Sequence, residues 1–309
     1  MTITPHLIAN ESPTDELAML LVGDYKAGKS YLAATAPGNI FILDFDQRLA
    51  ALRGHPNYKN IYGMTFSDNL NAPSNVPPTA FNEMQDVLAK LEASPRLADV
   101  HSMFKDCGDK LVDTIVFDSV QSIADAARRF VNFSAPDVAK VIVMGQKAYR
   151  VAKTFHSWGG EMEMVTGAIL QARALLHCKT CLKSVTYKKD PAGVGVLSHT
   201  DAKTVFDHVP VARAMNVICT LHECMEEDER STQENPIYTG KIEVYPRRYN
   251  SLLMYFNEVW RLQRPEGRLP FIQFDPNNKF IQAATALPMN GDQTKTLDIR
   301  TILRSVKRA

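Results

Sequence analysis

The chain has 309 residues, 45% hydrophobic and 22% charged, with a formal net charge of +1. That is ordinary for a soluble globular protein, and long enough for one large domain with appendages. So small a net charge excludes a global basic field, so any nucleic-acid surface has to be local. No apolar run approaches membrane-spanning length, and Met1–His6 lacks a basic stretch leading into an apolar core. With five cysteines, an odd number, the expectation is reduced thiols in a cytoplasm rather than export.

In chain order, Ala18-Met19-Leu20-Leu21-Val22 is an unbroken apolar run, as a strand buried on both faces should be. Gly23 to Ser30 reads G-x-x-x-x-G-K-S, and Lys29 to Ala36 is helix-compatible up to Pro37-Gly38. Asn39 to Asp46 is predicted as a second buried strand ending in two carboxylates, and Asn60 to Phe66 as a third. Ser67 to Thr79 carries three prolines and reads as a connection. Ala80 to Glu92 has helical spacing, with Phe81, Met84, Val87, Leu88 and Leu91 on one side. Asp113 to Ser119 forms a fourth strand, followed by a helix at Gln121–Arg129.

Lys140 to His177 reads as mainly helical, broken at Trp158-Gly159-Gly160. Residues 178–201 turn basic and glycine-containing, as an inserted loop or small hairpin would be. A helix is expected over Ala202–Ala214, a fifth buried strand over Asn216–Leu221, then a polar loop to Gly240. Glu258–Gln263 and Pro270–Phe274, separated by Pro265-Glu266-Gly267, carry a hairpin signature. Strands alternating with helices predict an α/β fold with a mainly parallel sheet flanked by helices and a C-terminal antiparallel hairpin. The expected organisation is a core over 1–264, with the basic insertion inside it, and a C-terminal hairpin strand and tail over 265–309 packed on that core.

Strand, glycine loop and helix is the arrangement in which backbone N–H groups surround a phosphate. Gly23, Asp24, Tyr25, Lys26, Ala27, Gly28, Lys29, Ser30 and Tyr31 are therefore the candidate nucleotide-binding residues. Lys29 would reach the β- and γ-phosphates and the Ser30 hydroxyl would hold Mg²⁺. Gly23 and Gly28 permit a closeness and a backbone conformation that a Cβ blocks. Asp118 follows the apolar strand residues Ile115, Val116 and Phe117, which suits a carboxylate acting on Mg²⁺, or one capping the next helix. Asp44 and Asp46 lie two apart, so a strand would point both to one face, and one of them is a candidate for activating water.

This order of features resembles the RecA-type recombinase core: the phosphate loop after strand one, Asp-Phe-Asp after strand two, Ile-Val-Phe-Asp-Ser at strand four and Thr-Leu-His at strand five. More narrowly it is similar to the compact phage nucleotide-binding proteins, some of which are single-strand annealing recombinases. The resemblance spans roughly Ala18 to Gln263, and only the phosphate loop is sharp by itself. It implies an ATP- and Mg²⁺-dependent ATPase with Lys29, Asp46, Asp118 and His222 as catalytic residues. Asp46 falls where the family usually has a glutamate, a departure that shortens its reach. His222 falls where the family senses the γ-phosphate. The resemblance further implies a homo-oligomer whose sites are completed by a neighbour's cations, for which Lys241, Arg247 and Arg248 are the candidates.

It also implies single-stranded DNA as partner, a single-strand DNA-binding protein as a further one, and a host cytoplasm if the chain is phage-encoded. Helicase-type motors, replication-protein loaders and nucleotide-dependent protein switches share the same core and stay open. Family DNA loops follow strands four and five, yet Glu223, Glu226, Glu227, Asp228 and Glu229 would repel phosphate there. Lys179, Lys183, Tyr187, Lys188 and Lys189 form the most basic stretch, with an aromatic that could stack on a base. Cys178-Lys179-Thr180-Cys181 has the spacing of half a zinc site. His177, His199, His208, Cys219 and Cys224 form no second close pair, so zinc is not expected.

Overall fold

The computed structural model describes residues 17–69, 75–134, 139–144, 147–152, 157–181, 185–189, 195–197, 204–205, 209–227, 238–242, 252–265, 269–274, 284–285, 287 and 293–307, with 139–160, 176–214 and 224–242 described as backbone. The first half runs β1 (Ala18–Gly23), α1 (Lys29–Ala33), β2 (Ile40–Asp44), β3 (Ile61–Thr65), α2 (Ala80–Ala93), α3 (Leu97–Val100), β4 (Thr114–Asp118) and α4 (Val120–Ser134). Then come β5 (Ala139–Met144), β6 (Lys147–Ala152), α5 (Ser157–Ala174), β7 (Leu176–Cys181), β8 (Val185–Lys189), β9 (Gly195–Leu197), β10 (Thr204–Val205) and β11 (Val209–Ala214). The chain continues with β12 (Asn216–Glu227), β13 (Tyr238–Ile242), β14 (Glu258–Gln263), β15 (Phe271–Gln273), β16 (Ala284–Thr285), β17 (Gln293–Thr294) and α6 (Ile299–Lys307).

The main sheet has the order β17-β15-β14-β1-β12-β4-β2-β3. From β14 to β3 every pairing is parallel. β1, β2 and β4 are buried along their whole length, which is why they read as continuous apolar runs. Alternate residues serve opposite faces. Leu20, Val22, Phe41, Leu43, Ile115, Phe117, Val217 and Cys219 pack with residues of α2, α4 and α5. Met19, Leu21, Ile40, Ile42, Val116, Ile218, Trp260 and Leu262 pack with α1 and with Ile299, Ile302 and Leu303 of α6. Each such buried side chain contributes about 1.5–3 kcal/mol, so two complete apolar faces dominate the stability of the sheet. The tail is held on the second face by polar contact too, with the Ile299 N–H donating to Thr35 Oγ1 at 2.8 Å.

At the C-terminal end β14 and β15 pair antiparallel, as the hairpin signature predicts. α2 buries the five residues its spacing selected. Three stretches differ from the sequence reading. Residues 139–144 and 147–152 are the antiparallel β5–β6 pair, not helix, and α5 runs unbroken through Trp158-Gly159-Gly160. Lys140–Met144 and Lys147–Val151 are rich in β-branched and aromatic residues, and Gly145-Gln146 between them has the composition of a hairpin turn. The glycines at 159 and 160 cost helix propensity of about 1 kcal/mol each, which tertiary packing overrides: Arg128 Nε of α4 donates to the fully buried Glu161 at 2.6 Å.

Where a helix was expected over Ala202–Ala214, β10 pairs with β8 and β11 pairs with β7. Pro210 cannot donate within a helix, but it is tolerated in a two-stranded ribbon. β8 also pairs antiparallel with β9, within the basic stretch. Finally, the fifth parallel strand does not stop at Leu221. β12 continues to Glu227, and its far half pairs antiparallel with the next strand, β13.

Candidate active site

The C-terminal edge of the parallel sheet gathers the candidate residues because β12 lies between β1 and β4. Its register sets Gly23 beside His222 and Val217 beside Ile115. Thr220 and His222, two apart on β12, share one side of the strand. The phosphate loop follows β1 over Asp24–Gly28, with Lys26 at φ 59° and Gly28 at φ 101°. Gly23 is required for closeness: a Cβ there would lie 2.3 Å from the Leu262 carbonyl oxygen of β14. Leu32 donates its N–H to Gly28, opening α1, which ends at Ala33 rather than Ala36.

Lys29 is buried and donates to the carbonyl oxygens of Gly23 at 2.7 Å and Asp24 at 2.9 Å. Its ammonium also meets His222 Nδ1 at 3.1 Å. An ammonium only donates, so Nδ1 accepts and the imidazole proton sits on Nε2, 3.7 Å from Asp46 Oδ2. Burial lowers the Lys29 pKa to about 8, with Asp118 the chief opposing charge.

Asp118 is buried and accepts from Thr220 Oγ1 at 2.5 Å and from the Ser30 hydroxyl. Burial pushes its carboxyl above the usual carboxylate range, against those two bonds. Asp46 is also affected by burial, which raises its pKa, but bonds from His222, Ser122 and Ser119 and the charge of Arg48 outweigh it and hold the value at about 2. Both serine hydroxyls donate to Asp46 Oδ1, Ser119 at 3.2 Å and Ser122 at shorter range.

Asp44 and Asp46 do not share a face. β2 ends at Asp44, so strand alternation no longer applies at Asp46, and the two carboxylates do different work. Asp44 is buried, accepting the N–H groups of Arg48 and Leu49 at 3.1 Å each and the Thr65 hydroxyl at 3.1 Å. That fixes the turn through Gln47, whose φ of 59° costs a non-glycine residue about 1–2 kcal/mol. Asp44 is thus a turn-holding group, and Asp46 alone faces Lys29 and His222.

A cavity of about 450 Å³ is lined by Lys29, Ser30, Asp46, Asp118 and His222, and also by Tyr25, Tyr31, Arg48, Ala51 and Leu52. Its size suits a small organic ligand. The donor set suits Mg²⁺: Ser30 and Asp118 supply hard oxygens, and phosphates and water complete such a shell. Among the described residues no group of three His, Cys, Asp or Glu side chains could form an all-protein metal cage. When bound, Mg²⁺ would neutralise charge on the phosphates between Ser30 and Asp118.

The Tyr25 ring stacks on His222 at 4.1 Å and 9°, and the Arg48 guanidinium lies 5.2 Å from the Tyr25 centroid. Arg48, Thr220, Ser119 and Ser122 were missed in the sequence. Thr220 and Ser119 carried a signal, Thr220 lying two before His222 on the same strand and Ser119 next to Asp118, whereas Arg48 and Ser122 become visible only when the turn and helix are in place. Glu223 is not on an acidic loop: it is buried on β12, accepting from Arg261 Nε of β14 at 2.8 Å and also from Nη2. Glu226 and Glu227 lie on the same strand, while Asp228 and Glu229 are outside the described residues.

Lys241 is on β13 opposite Cys224, and Arg247 and Arg248 lie outside the described residues. Lys179 is on β7 and Tyr187, Lys188 and Lys189 on β8, with Lys183 outside the described residues. Cys178 and Cys181 are on β7, and Cys219 is fully buried in the core. Among the described residues no helix is long and apolar enough to cross a membrane.

A family model described as an AAA domain matches residues 15–154. No curated protein matches the chain. The matched stretch holds the phosphate loop, Asp46 and Asp118, while Thr220 and His222 come from beyond it. The match indicates an AAA, P-loop NTPase-type domain over residues 15–154, and the sheet that holds this stretch is mostly parallel and flanked by helices.

Proposed function

We propose that the protein binds and hydrolyses ATP with Mg²⁺ and acts as a RecA-like oligomer on single-stranded DNA, in recombination or strand annealing of the phage type, in the cytoplasm. The observation that carries the reading is the position of His222. Its imidazole shares the Lys29 ammonium and faces Asp46, and its own strand runs on into the β12–β13 ribbon. A γ-phosphate competes for that ammonium, so nucleotide state changes the bonding of a residue whose strand leads out of the site. In this reading Lys29 holds phosphate, Asp118 and Ser30 hold the metal, and Asp46 orients water. A carboxylate held ionised down to a pKa of about 2 is a weak base, so it acts by accepting a hydrogen bond from water rather than by taking its proton early.

DNA contact draws on the family resemblance and on the lysines and tyrosine of the 178–201 stretch. Lys241, Arg247 and Arg248 are the proposed contributions to a neighbouring copy. The weakness of Asp46 as a base also favours a second reading, a slow nucleotide-dependent switch for a protein partner. The experiment is ATP turnover with and without single-stranded DNA, beside annealing of complementary oligonucleotides. Turnover raised by DNA together with ATP-dependent annealing supports the recombinase reading. Strand displacement without annealing moves it to a motor. Lys29-dependent turnover and assembly indifferent to DNA move it to the switch.

A further inference from the structure

We propose that Arg48 is the cation that pairs with the terminal phosphate from within the same chain, a role otherwise sought in a neighbouring copy. The proposal rests on the nucleotide-hydrolysis reading and adds a residue to it. Arg48 lines the same cavity as Lys29, Asp46, Asp118 and His222. It is half-buried, and among the described residues no carboxylate lies within ion-pairing distance of its guanidinium. Its contact is the face of Tyr25, which itself lies flat on His222. Guanidinium, phenol and imidazole thus form one pile, and its innermost ring is bonded to the Lys29 ammonium.

The backbone that carries Arg48 is built for this place. Asp44 accepts its N–H and that of Leu49, holding the left-handed turn at Gln47 that brings the side chain back over the loop. The charge of Arg48 is felt inside the site, where it helps keep Asp46 ionised and opposes charge on Lys29. A cation–π contact at a half-exposed position is weak beside a charge-assisted, two-pronged phosphate pair, so phosphate displaces the tyrosine.

In hydrolysis the water oxygen bonds to the γ-phosphorus and the bond from phosphorus to the β,γ-bridging oxygen breaks. The products are the nucleoside diphosphate, inorganic phosphate and a proton. Arg48 forms and breaks no covalent bond; its donors meet the charge that gathers on the γ-oxygens during that exchange.

The test uses the full chain and the variants Arg48→Ala, Arg48→Lys and Arg48→Gln, with thermal unfolding to confirm folding and Arg48→Gln to carry the test if alanine is not tolerated. ATP and ADP affinities are measured by calorimetry and turnover by phosphate release. Loss of the guanidinium is expected to lower kcat by about 10²–10³-fold and to weaken ATP more than ADP, with ADP affinity kept within about twofold. Lysine, lacking the planar fork, should recover only part of the rate. A folded variant with kcat within about threefold of wild type, or one that loses ATP and ADP affinity equally, overturns the role of Arg48 alone. A wild-type protein that binds neither nucleotide overturns the underlying reading and this one with it.

Discussion

The Arg261–Glu223 pair offers the sharpest test of how β12 and β14 are locked on either side of the phosphate-loop strand. Both side chains are nearly sealed, at 10% and 2% exposure, and two N–H groups of Arg261 reach the two carboxylate oxygens of Glu223. Replacing Arg261 by methionine leaves a buried carboxylate without its cation, which should cost about 3–5 kcal/mol at neutral pH. Burial already pushes Glu223 above the usual carboxylate range, countered first by the Arg261 bonds, and Asp24 adds a further upward push. Without Arg261 the carboxyl should take a proton in the folded state. A folded-state pKa raised above the unfolded one means the R261M penalty shrinks as pH falls from 7 to 5. The double variant R261M/E223M removes both charges and should return to within about 1 kcal/mol of wild type. Urea unfolding followed through the buried Trp260 beside Arg261 measures all three. A penalty for R261M below about 1 kcal/mol, or one unchanged between pH 7 and 5, would refute the reasoning, because it would mean that Glu223 is solvated.

Gly23→Ala should destabilise the protein by about 1–3 kcal/mol or more and impair nucleotide binding, since its Cβ would sit 2.3 Å from a backbone oxygen of β14; unchanged melting and ATP affinity would contradict this. Nucleotide affinity should be flat up to pH 8 and then weaken by up to about tenfold per pH unit, because Lys29 with a pKa near 8 must first be charged to hold phosphate; titration calorimetry from pH 6.5 to 9.5 reads the bend. Thr220→Val removes the hydroxyl that donates to Asp118 and should push that carboxyl further up, so the Mg²⁺ concentration for half-maximal activity should rise, most at low pH.

Local features of the site were legible in the sequence because they need only neighbours: the glycine loop, the apolar run ending at Asp118, and Asp46 after β2. What depended on distant registration was not. His222 could be named from its place after an apolar strand, but its bond to Lys29 exists because β12 enters between β1 and β4. The same insertion makes Glu223 a buried partner of Arg261 where composition suggested an exposed acidic loop. Asp44 and Asp46 were read as a pair because alternation assumes that the strand continues, and it stops between them. Lys140–Met144, Lys147–Ala152 and Val209–Ala214 form strands where the spacing suggests helix, because their apolar residues fit both periods over so short a window, and β-branching with Pro210 is the better guide.

The central claim is that one cavity holding Lys29, Asp118 and His222 hydrolyses a nucleoside triphosphate. Phosphate release from ATP with and without Mg²⁺, for wild type, Lys29→Ala and Asp118→Asn, tests it most directly. The account predicts Mg²⁺-dependent turnover in the wild type that falls by orders of magnitude in both variants while each remains folded. Turnover that survives Lys29→Ala, or a folded wild type with no turnover of any nucleoside triphosphate, would contradict it.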